Sequence, residues 1–570
     1  MKRYLIITLI VLSNLIQAQL FQKKTLSFTH QDSLLGMNNS FRNWWDIRYY
    51  NLTIEPNYES RFIKGNIRIV FDEIKRPEKY KMQIDLQKPM RIDSIYLSVY
   101  SNKVHHKIPL QSGEVHREED AYFLMLSKYK TILEKATLRE LIISFSGHPK
   151  VARNAPWDGG WVFKKDDRGR AWMSVACQGA GASLWFPNKD YLGDEPEDGA
   201  TLSIIVPHDL TAIANGRMKR KDRLKNGKIR FIWKVKNPIN NYNLVPYIGH
   251  YVNFKDEFTG ESGKLDLDYW VLDYNLNKAK KQFKQVKPML KAFENWFGHY
   301  PFYEDSYKLV ESPYLGMEHQ SNIAYGNHYQ NGYLGSDLSG TGRGLNWDFI
   351  IVHESGHEWF GNNITNQDIA DMWVHEGFTS YSETLYIESR WGKQAASDYV
   401  IGTRKKIQND RPIIGPYGVH KEGSGDMYYK GANMIHTLRQ VLNNEQLFRD
   451  ILRGLNKTFY HQTVTTQQVE NYINQRTAID LAPFFDQYLR TTKIPTLAYR
   501  IDKKHNSLKY KWINVVKDFR MPLKLDASNT WISPTETWKT QNITAKEALH
   551  FKIDRNFYIK LFNIDDKTKK

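Results

Sequence analysis

Two periods divide the chain. Between about residues 45 and 258, apolar and polar positions alternate, as in Tyr49-Tyr50-Asn51-Leu52-Thr53-Ile54 and Gly65-Asn66-Ile67-Arg68-Ile69-Val70-Phe71. That alternation turns one face of a strand to a core and the other to water. Residues 92–99, 141–145, 202–206 and 228–235 repeat it at short spacing with no helical pattern between them, which predicts an antiparallel sheet domain. From about residue 276 the period lengthens. Segments 278–297, 347–360, 370–390, 431–442 and 467–488 carry apolar residues at three- and four-residue spacing, as helices with one buried face do. Thr465 stands three residues before Gln468, a helix-capping pair. After Pro495, strand-like runs return at 497–501, 508–512, 523–525 and 551–553. The pattern predicts an α+β multidomain chain: an N-terminal β domain over 19–258, a mainly helical domain over 259–494, and a small β domain over 495–570.

Composition narrows the classes. At 570 residues the chain is too long for one ordinary core. Its 41% hydrophobic content excludes global disorder, and a mean hydropathy of −0.59 excludes a polytopic membrane protein. The net charge of +18 is spread along the sequence without a zinc finger or basic helix block, so no nucleic-acid partner is expected. One cysteine, Cys177, excludes an intramolecular disulfide and a zinc site built on several thiolates; it reads as an inert buried thiol. Lys2 and Arg3, the apolar run 4–12 and the small Ala18 read as a signal peptide over 1–18. That run is well short of the ~20 residues that span a bilayer, so no transmembrane anchor is expected. The product should be exported, to a periplasm or beyond the cell.

The chemistry lies in the helical segment. His353-Glu354-Ser355-Gly356-His357 places two imidazoles on one helix face, because positions i and i+4 lie one turn apart. Glu354 falls roughly 100° around the axis, beside a bound metal rather than on it. Two imidazoles with an adjacent carboxylate suit zinc and a water to be activated. Asn346 and Gly361 are candidate helix ends. A catalytic zinc needs a third protein ligand and an open position. Glu376 follows His357 after eighteen residues, and Glu383 lies two turns further on the same face, where it can orient a ligand histidine. His375 competes for the ligand role but points about 100° away from Glu376. A solvated helix carboxylate is the plain alternative for Glu376.

Together these segments resemble the aminopeptidase N family of zinc metallopeptidases, a gluzincin family with leukotriene-hydrolase-like members. Gly316-Met317-Glu318-His319-Gln320 resembles the family's GxMEN motif, and Tyr428-Tyr429-Lys430-Gly431 its YxKG motif. Cys177-Gln178-Gly179, Trp185-Phe186-Pro187 and Asp194-Glu195-Pro196 are similar to its cleft-lining segment. The likeness extends through residues 50–56, 214–216 and 242–251. It implies one zinc per chain on His353, His357 and Glu376, with Glu354 as general base and Tyr428 stabilising the tetrahedral intermediate. Glu318 would bind the substrate's free α-amine, with Gln178, Gly316 and Met317 beside it. The implied fold is an N-terminal β domain, a thermolysin-like zinc domain and a small C-terminal β-sandwich. Some 75 residues after the catalytic domain leave no room for a large C-terminal helical domain. The implied partners are peptides with a free amino terminus, and the reading favours a monomer. His319 stands where the family has asparagine; a protonated imidazole there would make activity rise with pH through roughly 6.5. A non-catalytic peptide-binding protein and an endopeptidase are the other readings. The retained ligands and base argue against the first, and Glu318 against the second.

Overall fold

Strand Trp45–Asn57 shows the alternation becoming structure. Tyr50, Leu52 and Ile54 are buried while Asn51, Thr53 and Glu55 are half exposed. A bulge between Ile47 and Tyr49 shifts the pairing, so the inward phase moves by one residue there. The structure is a computed structural model and describes residues 28–565 except Ala527; the signal segment 1–18 lies outside the described residues.

Eight strands form the first sheet, in the order Arg217–Arg223, Ile229–Val235, Ala200–Val206, Trp45–Asn57, Phe62–Glu73, Ala136–Gly147, Arg91–Ser101 and Val104–Pro109. Its pairs are antiparallel except Trp45–Asn57 with Ala200–Val206, which run parallel. A four-stranded sheet packs into the same core and contains Ala171–Ala176, whose end delivers Gln178 to the cleft.

The expected break after Phe258 falls within a hairpin that touches both cores, Tyr251 and Leu272 packing with the first domain. Strand Tyr251–Gly260 pairs with Gly263–Leu272, which joins Tyr307–Glu311, Ile323–Tyr325 and Gly316–Met317 in a five-stranded sheet. Val252, Phe254 and Phe258 pack on the helical domain's core.

Around that sheet lie helices Val286–Phe297, Phe349–Gly356, Trp373–Gly402, Tyr429–Leu442, Glu445–Thr458, Thr466–Asn474 and Ala482–Leu489. Several ends differ from expectation. Asp348, not Asn346, caps Phe349–Gly356, and the helical pattern over 467–488 is two helices. Thr465 does cap the first of these, in a reciprocal pair with Gln468. Glu445–Thr458, strongly amphipathic, lies outside the segments expected to be helical. The last region holds a four-stranded sheet and a strand pair; the expected strand 551–553 reduces to one bridge, Leu525 with Ile553. Its Leu497, Trp512 and Leu523 share a core with the helices rather than forming a separate one. No helix among the described residues is long and apolar enough to cross a membrane.

Candidate active site

Asp348 starts the central helix. Its Oδ1 accepts from the backbone N–H of Ile350 at 3.1 Å and of Ile351 at 3.3 Å, satisfying donors that a helix end leaves open. Its other oxygen accepts from the Tyr325 hydroxyl at 2.7 Å and Gln282 at 2.8 Å, which ties the helix start to the five-stranded sheet. Along this helix His353 and His357 stand with ring centroids 5.0 Å apart. Gly356 lets the next helix approach, since a Cβ there would lie 2.5 Å from Ser382 Oγ. That helix, Trp373–Gly402, brings Glu376 Oε2 to 3.6 Å from His353 Nε2 and 3.4 Å from His357 Nε2.

These three atoms have the spacing of ligands around one ion. Bonds of ~2.0–2.1 Å at tetrahedral angles place neighbouring ligand atoms roughly 3.3–3.4 Å apart. Glu376 Oε2 is buried without a hydrogen-bond partner, which an oxygen committed to a metal would explain. Both imidazoles are oriented from behind. His353 Nδ1 lies 2.7 Å from Glu383 Oε1, and His357 Nδ1 lies 3.0 Å from the Phe360 carbonyl oxygen. Glu383 in turn accepts from the Tyr399 hydroxyl at 2.6 Å. Such contacts fix the tautomer and leave each Nε2 lone pair facing the shared point. The donor set fits zinc. His375 does not join it: its Nε2 accepts from the Asn366 backbone N–H at 2.9 Å, and burial pushes its pKa down to about 3.

The remaining candidates line the same cavity of about 420 Å³, among them Gln178, Gly316, Met317, Glu318, Glu354 and Tyr428. Burial pushes the Glu354 carboxyl up to about 7, against the pull of the two imidazoles. Gly316 backs directly onto it, for a Cβ there would lie 2.5 Å from Glu354 Oε1. Tyr428 stacks beside His353 at 6.2 Å, and burial together with Glu376 raises its hydroxyl far above the ordinary value, keeping it a donor. Its position depends on a second close helix approach. Gly377, next to Glu376, and Gly431, three residues past Tyr428, touch so closely that a Cβ on Gly431 would lie 3.0 Å from Gly377 Cα.

The opposite wall carries Glu318. Its Oε1 accepts from Gln178 Nε2 at 2.5 Å and from the Tyr242 hydroxyl at 3.0 Å, while its backbone carbonyl accepts from Asn362 at 2.7 Å. The side chains that hold the carboxylate are neutral. Burial raises its pKa, as expected of a buried acid held by neutral donors.

Two family models match the chain in order, the Peptidase M1 N-terminal domain over residues 47–242 and the Peptidase family M1 domain over residues 281–488. The chain belongs to the peptidase M1 family. It is 20% identical over 476 residues to a leucyl aminopeptidase of Saccharolobus solfataricus, covering 79% of this chain and 56% of that one. To a glutamyl aminopeptidase of Bitis rhinoceros it is 25% identical over 319 residues, 53% of this chain and 33% of that one. It thus spans between a third and just over half of these curated relatives. An M1 zinc metallopeptidase variant from Deinococcus radiodurans, solved with a Tyr-Ser-Ala substrate, superposes with a TM-score of 0.65 at 17% identity, over 80% of this chain and 98% of that one. Aminopeptidase A of Legionella pneumophila, in complex with aspartic acid, gives 0.71 at 14% identity, over 91% and 59%. At these identities the likeness establishes the fold.

Within this M1 fold the site also gathers two residues that their own sequence segments do not mark, Tyr242 and Glu422. Tyr242 sits in a stretch the family likeness covers, but a tyrosine among apolar neighbours carries no chemical mark. Glu422, on the cleft rim, lies in a loop with no periodicity to place it. Two readings sharpen. Cys177 is buried and its thiol is pushed up by burial, which makes it inert. His319 is fully buried, shares a 2.6 Å hydrogen bond with the Tyr247 hydroxyl, and has its pKa pushed down to about 3 by burial. It stays neutral, so the activity rise near pH 6.5 expected from its protonation is withdrawn.

Proposed function

We propose that the chain is an exported zinc-dependent aminopeptidase that hydrolyses the first peptide bond of peptides with a free amino terminus. The observation that carries this is Glu318. A buried carboxylate held by neutral donors, in the same cavity as the metal triad, is complementary to a substrate ammonium. That pairing counts cleavage one residue from the amino terminus.

His353, His357 and Glu376 would hold one zinc. When bound, zinc supplies Lewis-acid polarisation of the scissile carbonyl and makes water more acidic. Glu354 takes the proton of the attacking water and delivers it to the leaving amine, a role for which burial makes its carboxylate a stronger base. The Tyr428 hydroxyl donates to the carbonyl oxygen as negative charge gathers there. Gln178 and Tyr242 keep the Glu318 carboxylate aimed into the cavity, with Gly316 and Met317 forming the floor between Glu318 and Glu354.

The test compares peptides of one sequence with free and acetylated amino termini, with and without a chelator. Chelator-sensitive release of the first residue from the free peptide alone is expected; equal cleavage of both, or internal cuts in the blocked one, overturns the reading. Export rests on Lys2, Arg3 and the apolar run up to Ala18. Mass spectrometry of the exported protein should find Gln19 as its first residue, and an intact Met1 would contradict it.

A further inference from the structure

Helix His30–Gly36 precedes both stretches matched by the family models, yet it touches both walls of the cleft. On one side it is fastened to the β domain. The Leu35 carbonyl accepts from buried Arg42 at 2.8 Å, the Leu34 carbonyl from Gln83 at 3.0 Å, and Leu34 packs with Ala121 and Phe123. On the other side it meets the loop that leads into Tyr428. Gly36 lies against that loop so closely that a Cβ would fall 2.3 Å from the Val419 carbonyl carbon. The Asp32 carbonyl accepts from the His420 N–H at 2.8 Å, and the Asp32 carboxylate lies 3.4 Å from Lys421 Nζ. His420 Nε2 also reaches the Gly179 carbonyl at 3.1 Å, beside Gln178.

The loop therefore hangs from two sets of supports. Its helical-domain contacts are Tyr417 to Asp371 and Gly418 to Asp368, just ahead of the helix that bears Glu376. The Gly415 N–H also donates to the Ala370 carbonyl at 3.2 Å, and Gly415 packs against Lys421, whereas Val419, His420 and Lys421 reach across to the amino-terminal helix and Gly179. Beyond Lys421 come Glu422, Gly425, Met427 and Tyr428, each of which lines the cavity, and between them Gly423, Ser424 and Asp426 are hydrogen-bonded back to Arg411, Pro412, Gln408 and Asn409. We infer that helix His30–Gly36 is a clasp: it holds the loop at Val419–Lys421 against the wall that carries Gln178 and Glu318 and so, together with the ties of residues 423–426 and the close approach at Gly431, sets the position of Tyr428. Asp32 and Gly36 are positioning residues, acting through the loop. The kinetic consequence rests on the aminopeptidase reading above; the position of the loop does not.

Gly36→Ala forces the loop away at the closest contact, and Asp32→Asn removes the charge from Lys421 while keeping a side chain that can cap the helix. Two readouts are taken on each full-length variant: steady-state kinetics on an unblocked aminoacyl amide, and limited trypsin digestion with the fragment ending at Lys421 followed by mass spectrometry. Loosening should speed the cut at Lys421 by about tenfold or more, as local opening exposes it. It should lower kcat with KM nearly unchanged, because Tyr428 acts in the transition state and Glu318 in ground-state binding. Zinc content should match the wild type. Val469→Ala, a core truncation in another helix, controls for general destabilisation and should leave kcat and the Lys421 cut unaltered. Wild-type protection of Lys421 in Gly36→Ala, or equal cutting in Val469→Ala, overturns the clasp. Faster cutting in a protein whose wild type cleaves no peptide overturns the peptidase reading and leaves the clasp standing.

Discussion

The two walls of the cleft are built in opposite ways. On the metal wall, His353, His357 and Glu376 come from adjoining helices, and their geometry follows from the helical period plus one close approach at Gly356. On the amine wall, Glu318 is held by Gln178, 140 positions earlier, and by Tyr242, 76 positions earlier. One wall is a local property of the chain; the other exists only when two domains dock. A local geometry survives small domain movements, whereas a docked one is as exact as the interface behind it.

The sharpest separation of the walls removes the base and leaves the metal. Glu354→Gln keeps the shape of the cavity and all three ligands, so zinc content by elemental analysis should equal the wild type. Turnover should fall by about 10²–10⁴-fold, the usual share of general acid–base catalysis. Loss of zinc along with activity would place Glu354 on the metal instead of beside it.

The amine wall breaks differently. Losing one partner of a desolvated charge pair costs ~2–5 kcal/mol, so Glu318→Ala should cut kcat/KM on unblocked aminoacyl amides by roughly thirty- to several-thousand-fold. Tyr242→Phe removes one donor to the same carboxylate and should cost about tenfold, with Gln178 still in place. Both variants should retain zinc. An effect of Tyr242→Phe as large as that of Glu318→Ala would mean the tyrosine itself contacts substrate.

How much of each wall could be read in the sequence follows from the same contrast. Helix geometry alone put His353 and His357 on one face, the family likeness singled out Glu376 eighteen residues on, and the structure brings those three side chains together. Glu383 was legible from helix geometry too, two turns from Glu376 on one face. Glu318 and Gln178 were visible only through family likeness, since nothing in their own segments says that they meet. Tyr242 lay inside a stretch the likeness covers, but no motif there marked it for a role. The cap was misplaced at Asn346 because propensity alone does not separate it from Asp348; the hydrogen bonds from Tyr325 and Gln282 fix the latter. The hairpin Tyr251–Leu272 has the alternation of the first domain's strands, and only its pairing partners show that it joins the five-stranded sheet.

Gly316 is where the two walls meet. Its strand leads to Glu318, and its bare Cα faces Glu354 Oε1. Gly316→Ala should move the base without touching the metal or the ammonium site, lowering kcat by about 10–100-fold, roughly a misplacement of an ångström. KM and zinc content should stay close to wild type. A rise in KM at constant kcat would show that the strand had moved instead, dragging Glu318 with it.

The last expected effect is on stability rather than turnover and is read on the amine wall, although His375 beside Glu376 is a buried neutral histidine of the same kind. His319 is buried neutral against Tyr247 with its pKa pushed down to about 3, whereas an unfolded histidine titrates near ~6.5. Below that unfolded value the unfolded chain takes up a proton that the folded chain refuses. Stability contributed by this site is therefore complete above about pH 6.5 and declines as pH falls toward 3, by about 2 kcal/mol at roughly pH 5. His319→Asn removes the titrating group. Buried acids with raised values, such as Glu195 and Glu358, push the other way, but they act in both proteins and cancel in the difference. Melting temperatures measured from pH 7.5 down to about 5 should thus converge or cross, the wild type losing ground to His319→Asn as acid is added. Parallel curves would mean that His319 is protonated in the folded protein. In that case the charge beside Glu318 would be real, and activity would rise through the imidazole range after all.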